Sequence, residues 1–441
     1  VTEPTITLHA GDNRDSLRRL IDQGVRVHSV VCDPPYHLES ITKRFGKNNS
    51  AVAKSNGATG VFKRASGGFM GQQWDGTDAN GVKIAFDPEF WRLIHDILLP
   101  GGYVLAFSSP RTGHWQACAM EMAGFIMHPF FGWTYSTGFP KAHNAAMAID
   151  KVLGVEGGRG EPKSAAHAGW IDRGAMRGEE GNEGWQRDWM ADPEKVEANA
   201  RKYLPGSEEA AQWEGWAYGA QSMKPALEPV YFGQKPFTEK NGALNLLKHG
   251  VGAVNIDGCR TDTAPEPTRF DPAVHKGNVE GWRMKQTGAE VAALAAATGK
   301  GRHPANLIHD DSEEVRAMFP NDSARFFNGF PFEADPLFYH AKASKADRAG
   351  SKHPTVKPVA LMQHFVRLVT PPGGVVLDPF GGSGTTAEAA RREGFDCILM
   401  EADDQYVADI RERFGLPGDA AKDDFESLFN DNPDNFDSLF S

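Results

Sequence analysis

Val375-Val376-Leu377-Asp378-Pro379-Phe380-Gly381-Gly382-Ser383-Gly384-Thr385 is the stretch that decides the fold. Val375 to Leu377 is apolar and reads as a buried strand, ending at Asp378-Pro379-Phe380. The glycines that follow form a tight loop, and Thr386 to Glu393 reads as a helix. Cys397 to Met400 is a second strand, ending at Glu401, 19 residues after Gly382. This order suits an adenosine-type ligand. The loop lets the backbone approach it, the helix start presents free N–H groups, and the acid accepts from ribose hydroxyls. Gly382-Ser-Gly384-Thr-Thr-Ala387 also fits the dinucleotide pattern G-x-G-x-x-A, so the loop alone does not say which adenosine cofactor it takes.

The rhythm continues on both sides. Gln405 to Phe414 reads as a helix, and Val359 to Val369 as an amphipathic helix followed by a Pro371–Gly374 turn. Near the start, Ile6–Ala10, Val27–Cys32, Tyr103–Phe107 and Ile126–Tyr135 read as strands. Asn13–Gln23, Pro88–Leu98 and His114–Gly124 read as helices between them, with a turn at Pro100-Gly101-Gly102. A βαβαβ order predicts an α/β fold: a doubly wound, mostly parallel sheet covered on both faces. Residues 1–139 and 352–416 are expected to build it. Residues 140–351, poor in periodicity and rich in Gly, Pro, Trp and charge, read as a large irregular inserted region, partly packed on the core. Residues 417–441 hold seven acids against one base and read as a disordered acidic tail.

The strand ends carry the chemistry. Asp12, Asp33, Asp378 and Glu401 each follow a strand, and ligands of open α/β sheets bind beyond the carboxyl ends of strands. Asp33-Pro34-Pro35-Tyr36 is the most distinctive of these. Two prolines fix their own φ angles and remove two N–H donors, so the segment presents acceptors, the Asp33 carboxylate and the Pro34 carbonyl. Such a pair suits an exocyclic amino group. Drawing both N–H bonds toward acceptors pushes the nitrogen toward tetrahedral geometry and frees its lone pair. Tyr36 can stack on a flat base.

The net charge of −11 argues against nucleic acid when taken alone, but its distribution does not. Residues 40–74 contain six bases (Lys43, Arg44, Lys47, Lys54, Lys63, Arg64) and no acid, directly after the tetrapeptide. Lys342, Lys345, Arg348 and Lys352 form a second basic stretch. No apolar run approaches the roughly 18 residues of a membrane span, Val1–Gly11 lacks a signal-peptide layout, and the four cysteines make no CxxC pair. The expectation is a soluble cytoplasmic protein without a metal site.

Asp33-Pro-Pro-Tyr36 together with Asp378-Pro-Phe-Gly-Gly-Ser-Gly-Thr-Thr386 resembles the S-adenosylmethionine-dependent amino DNA methyltransferases, which act on adenine N6 or cytosine N4. His353-Pro-Thr-Val-Lys357-Pro358, Leu99-Pro-Gly-Gly-Tyr103, Trp133-Thr-Tyr135, Trp213-Glu-Gly-Trp216, Glu228-Pro-Val230 and Tyr339-His-Ala-Lys342 agree with it. The order, tetrapeptide before cofactor loop, is that of the β group. The resemblance implies a Rossmann-like methyltransferase fold and S-adenosylmethionine as cofactor. Asp378 and Phe380, Gly381, Gly382, Ser383, Gly384 and Thr385 would wrap that cofactor, with Glu401 on its ribose and Asp12 near its adenine. Thr355, Lys357 and Pro358 would close over its methionine end. Asp33, Pro34, Pro35 and Tyr36 would be catalytic, with Trp133 near the target base.

The implied function is site-specific methylation of adenine N6 in double-stranded DNA, as in restriction–modification systems, after the base is flipped out of the stack. Lys43, Arg44, Lys47, Lys63, Arg64, Lys342 and Lys345 would contact DNA, and the insert would read sequence. A cytosine-N4 enzyme and a non-catalytic DNA-binding protein are the alternatives, while a dehydrogenase would leave Asp33–Tyr36 idle. A second copy of the chain, in a homodimer, is a further expected partner. So is a sliding clamp, because Phe425-Glu-Ser-Leu-Phe429 and Phe436-Asp-Ser-Leu-Phe440 repeat in the tail and resemble clamp-binding peptides.

Overall fold

A computed structural model describes residues 3–37, 81–136, 138, 140–173, 192–261, 301–330, 347 and 356–417. Its strands are β1 (Ile6–Ala10), β2 (Val27–Cys32), β3 (Leu98–Phe107), β4 (Ile126–Thr134), β5 (Lys141–Asn144), β6 (Gly158–Pro162), β7 (Arg201–Leu204), β8 (Ala217–Gln221), β9 (Leu227–Gln234), β10 (Leu307–His309), β11 (Asn328–Gly329), β12 (Val375–Asp378) and β13 (Asp396–Glu401). Nine of them form one sheet in the order β1-β13-β12-β2-β3-β9-β4-β10-β11. Every neighbouring pair is parallel except the two made by β9, which runs against β3 and β4. The expected doubly wound, mostly parallel α/β sheet is therefore present.

Side chains alternate across this sheet, as a strand's pleat requires. On β2, β12 and β13, Val30, Leu377, Ile398 and Met400 enter one buried cluster with Leu17, Leu20, Phe90, Trp91 and Ile94. Val31, Val376, Cys397 and Leu399 enter the other, with Leu361, Phe365, Ala387, Ala390 and Ile410. Near-continuous apolar strands are the mark of a sheet covered by helices on both faces. The first cluster is closed by helices Asn13–Asp22, Pro88–Ile97 and Gly113–Met122, and the second by helices Val359–Val369, Thr385–Glu393 and Asp404–Phe414. Asp12, Asp87 and Asp403 cap three of these helices through backbone N–H groups, and Pro88 opens the second in the first-turn position where its missing N–H costs nothing.

Connectivity fixes where a ligand can sit. β2 and β12 are hydrogen-bonded neighbours, with Leu377 opposite Val30. From β2 the chain crosses to β3 on one side; from β12 it crosses to β13 on the other. The crossovers diverge, leaving a crevice at the carboxyl ends of β2 and β12, the topological switch point of the sheet.

Two details depart from the sequence reading. Pro100-Gly101-Gly102 is not a turn before the strand; it bulges within β3, between Leu98 paired with Val27 and Tyr103 paired with Ser29. A Cβ on Gly102 would meet the His28 carbonyl at 2.8 Å, so glycine permits this close approach. And the stretch 140–351 is not insert throughout: β9, β10 and β11 return to the main sheet. By compactness the chain divides into Val1–Tyr36, Ile84–Thr137 and Ala226–Ser441 as one unit, and His37–Lys83 with Gly138–Pro225 as the other. Within the second unit, β5 pairs with β8 and β6 with β7, both antiparallel. Asp150 is buried there and accepts from the Tyr203 hydroxyl at 2.8 Å and the Gly206 amide at 2.7 Å, tying β7 to helix Ala145–Leu153. Among the described residues, no helix is long and apolar enough to cross a membrane.

Candidate active site

The first wall of the crevice is the glycine loop. Asp378 ends β12, and its buried carboxyl group accepts from the Phe380 amide at 2.9 Å and the Thr386 hydroxyl at 2.5 Å. It thereby staples the loop to the helix behind it. Burial raises this carboxyl group to about 7; the two hydrogen bonds oppose the shift, and the nearby Asp33 and Glu401 carboxylates add to it. Gly384 takes φ 75°, a left-handed conformation, at the start of helix Thr385–Glu393. Glu401, at the end of β13, accepts from the Gly382 amide at 2.7 Å, the Ala402 amide at 2.9 Å and the Asp403 amide at 2.8 Å. Burial pushes its pKa above the usual carboxylate range against those three bonds. Its Oε2, holding one amide, keeps a lone pair for a further donor. Phe380 packs its ring against Phe90, 5.3 Å between centroids.

The second wall is the tetrapeptide. Asp33 follows β2 directly, one strand away from the glycine loop. Tyr36 is held from behind, its carbonyl accepting from the Thr112 hydroxyl at 2.8 Å. Its own hydroxyl donates to Glu228 Oε2 at 3.2 Å. The Lys357 ammonium, 6% exposed, donates to Asp33 Oδ2, lies 3.3 Å from the Tyr36 hydroxyl and sits 3.7 Å from Glu228 Oε2. It also lies 4.7 Å from the centre of the Phe107 ring. Asp33 Oδ1 is buried without a hydrogen-bond partner among the described residues.

The crevice thus brings together Asp33, Pro34, Pro35, Tyr36, Lys357, Pro358, Asp378, the Phe380–Thr385 loop and Glu401. Three of the expected site residues already have partners within the protein. Lys357, expected over the methionine end of a cofactor, directs its ammonium to Asp33. Asp12 spends its carboxylate on its own helix: it accepts from the Arg14 amide at 2.8 Å and pairs with the Arg14 guanidinium at 2.9 Å, which holds it below the usual carboxylate range. Trp133, expected as a contact near the target base, is 1% exposed. Its ring packs on Phe107 and Tyr135 in the core, because β4 turns that residue toward the helix-covered face, so it has no surface to offer DNA. Thr355, the basic residues Lys43, Arg44, Lys47, Lys63, Arg64, Lys342 and Lys345, and the acidic tail with its repeat lie outside the described residues.

Glu228 is a site residue to which the sequence reading gave no role, although it lies in one of the segments that carry the resemblance. It lies near the start of β9, opposite Trp133. Because β9 is antiparallel, its beginning lies alongside the ends of β3 and β4. The only signal was Glu228-Pro229-Val230 itself, an acid inside an otherwise apolar strand.

A family model described as DNA methylase, of the N6/N4 type, matches residues 27–412, spanning both walls of the crevice. The type II methyltransferase M2.DpnII of Streptococcus pneumoniae is 39% identical over 69 residues; the match covers 16% of this chain and 26% of that one, about a quarter of the relative's length. Among solved structures, the M1.HpyAVI–SAM complex aligns over 93% of this chain and 100% of its own at 13% identity and a TM-score of 0.40. The cytosine-N4-specific PvuII DNA methyltransferase aligns over 97% and 94% at 14% identity and a TM-score of 0.35. The chain belongs to the N6/N4 DNA methylase family, whose methyl donor is S-adenosylmethionine.

Proposed function

We propose that this protein methylates an exocyclic amino group of a base in double-stranded DNA, adenine N6 in preference to cytosine N4, working in the cytoplasm. The observation that carries the reading is the adjacency of β2 and β12, which sets the acceptors of Asp33 and Pro34 beside a glycine loop at the switch point.

The residues present fit an S-adenosylmethionine ligand. Glu401 keeps acceptor capacity for a ribose hydroxyl and the loop offers close backbone approach, while the buried, unpartnered oxygen of Asp33 suits the amino group that is to be methylated. When bound, that ligand supplies a methyl group on a positively charged sulfur. The protein's own part is to hold and polarise the nucleophile. Asp33 and the Pro34 carbonyl accept the two amino N–H bonds, Tyr36 stacks on the base, and the buried setting strengthens each of these interactions. Catalysis is alignment of two reactants that the sheet has already brought together. A base inside a duplex cannot enter such a crevice, so it must be flipped, and the basic residues of 40–74 would hold the phosphates around it. The preference for adenine follows from Asp rather than Ser opening the tetrapeptide.

The test is product identification. Unmethylated genomic DNA incubated with the protein and S-adenosylmethionine, then digested to nucleosides, should contain N6-methyladenine. N4-methylcytosine instead would reverse the base preference, and no methylated nucleoside would refute the reading.

A further inference from the structure

The Asp33 end of the crevice holds two carboxylates, of Asp33 and Glu228, around a single ammonium, of Lys357. Glu228 and Lys357 are both almost fully buried. Burying a second carboxylate beside an ion pair is costly unless it has work to do. Asp33 alone would suffice to neutralise Lys357. Yet the ammonium sits on the carboxylate that an incoming amino group needs: Asp33 Oδ2 receives an N–H from lysine, only Oδ1 is left without a partner among the described residues, and a carboxylate paired with an ammonium is a weaker acceptor for the base. An amino group can displace it only if the ammonium keeps an anion, since a bare buried charge is strongly unfavourable. Glu228 Oε2 is 3.7 Å from that nitrogen, and Tyr36 links the two by accepting from the ammonium and donating to the glutamate.

We propose that Glu228 is a positioning residue for methyl transfer, retaining the Lys357 ammonium when the target amino group takes over Asp33. Lys357 is then a placeholder. It keeps Asp33 neutralised while the crevice holds no base and moves onto Glu228 and the Tyr36 hydroxyl as the base arrives. No bond is made or broken in this exchange; one N–H donor replaces another on Asp33. The inference rests on the methyl-transfer reading above and adds a residue to it.

A four-protein cycle tests it: wild type, E228Q, K357M and the double variant, each assayed for transfer of labelled methyl to unmethylated DNA at saturating cofactor, with cofactor affinity measured by calorimetry. In the wild-type background E228Q leaves lysine fastened to Asp33, and KM for DNA should rise about tenfold, the scale of a hydrogen bond to a charged group, with cofactor affinity kept. In the K357M background no ammonium needs holding, and the same substitution should change KM by less than about twofold. An equal loss in both backgrounds would make Glu228 a structural residue and overturn the proposal, as would wild-type kinetics for E228Q. Should E228Q alone lose cofactor binding, the comparison of K357M with the double variant decides, and a large loss there counts against the proposal. A wild-type protein that transfers no label instead refutes the methyl-transfer reading itself.

Discussion

Asp378 shows how one buried carboxyl group can be both staple and liability. In the unfolded chain it ionises near 3.8, whereas in the fold it keeps its proton to about 7. Between those values the folded state binds more protons than the unfolded one, so this group's stabilising contribution is complete below 3.8 and is lost as pH rises toward 7. Asp378→Asn removes the titration. The stability of wild type relative to D378N, followed by thermal melts, should fall by a few kcal/mol across that window, and a constant difference would contradict the assignment. His364, buried beside Phe330 and Phe365, behaves oppositely: burial lowers it from 6.5 to about 4, so its contribution is lost as pH falls through that range. H364L should therefore flatten the acid side of the stability profile. Asp33, Asp378 and Glu401 were legible as site residues because an acid at a strand end, beside prolines or a glycine loop, faces the edge of the sheet where ligands bind. Glu228 was not, because its place depends on the direction of β9, which no local pattern encodes.

At the scale of elements, the glycine loop is the most constrained piece. Gly384 has φ 75° and a Cβ there would stand 2.9 Å from the Phe414 ring, whereas Gly373, φ 72°, faces open space. G384A should cost more than the roughly 1–2 kcal/mol of the left-handed conformation alone, and G373A about that much, as read from denaturant midpoints. Equal losses would mean that Phe414 yields freely. Helices and strands flanking this loop could be read closely, since Val359–Val369 is amphipathic, Val375–Leu377 is apolar, and Pro and Gly bound both. β9, β10 and β11 could not. Pro229 and Glu228 interrupt the first, the second has only three residues and the third two, and all three owe their place to the sheet around β4 rather than to their own propensity. Long-range pairing overrides weak local preference there.

At the scale of the whole molecule, the proposed function divides labour between a sheet for chemistry and segments for DNA recognition. Gly138–Pro225, part of a compact unit and holding two small sheets, is proposed as the reader of sequence. Exchanging it with that of a relative of different specificity should move the methylated site, as read by modified-base sequencing; an unchanged site would remove it as the reader. Neutralising Lys43, Arg44, Lys63 and Arg64 should weaken DNA binding and lower the log–log salt slope by about 0.9 for each phosphate left without a cation. An unaltered slope would leave that stretch without a role in binding.

The central claim is that Asp33 and the glycine loop, far apart in the chain, form one methyl-transfer pocket. Asp33→Ala measures it most directly, with methyl incorporation into DNA and cofactor affinity determined on the same preparation. Incorporation should fall about a hundredfold or more with cofactor affinity nearly unchanged. Undiminished incorporation by D33A would contradict the claim.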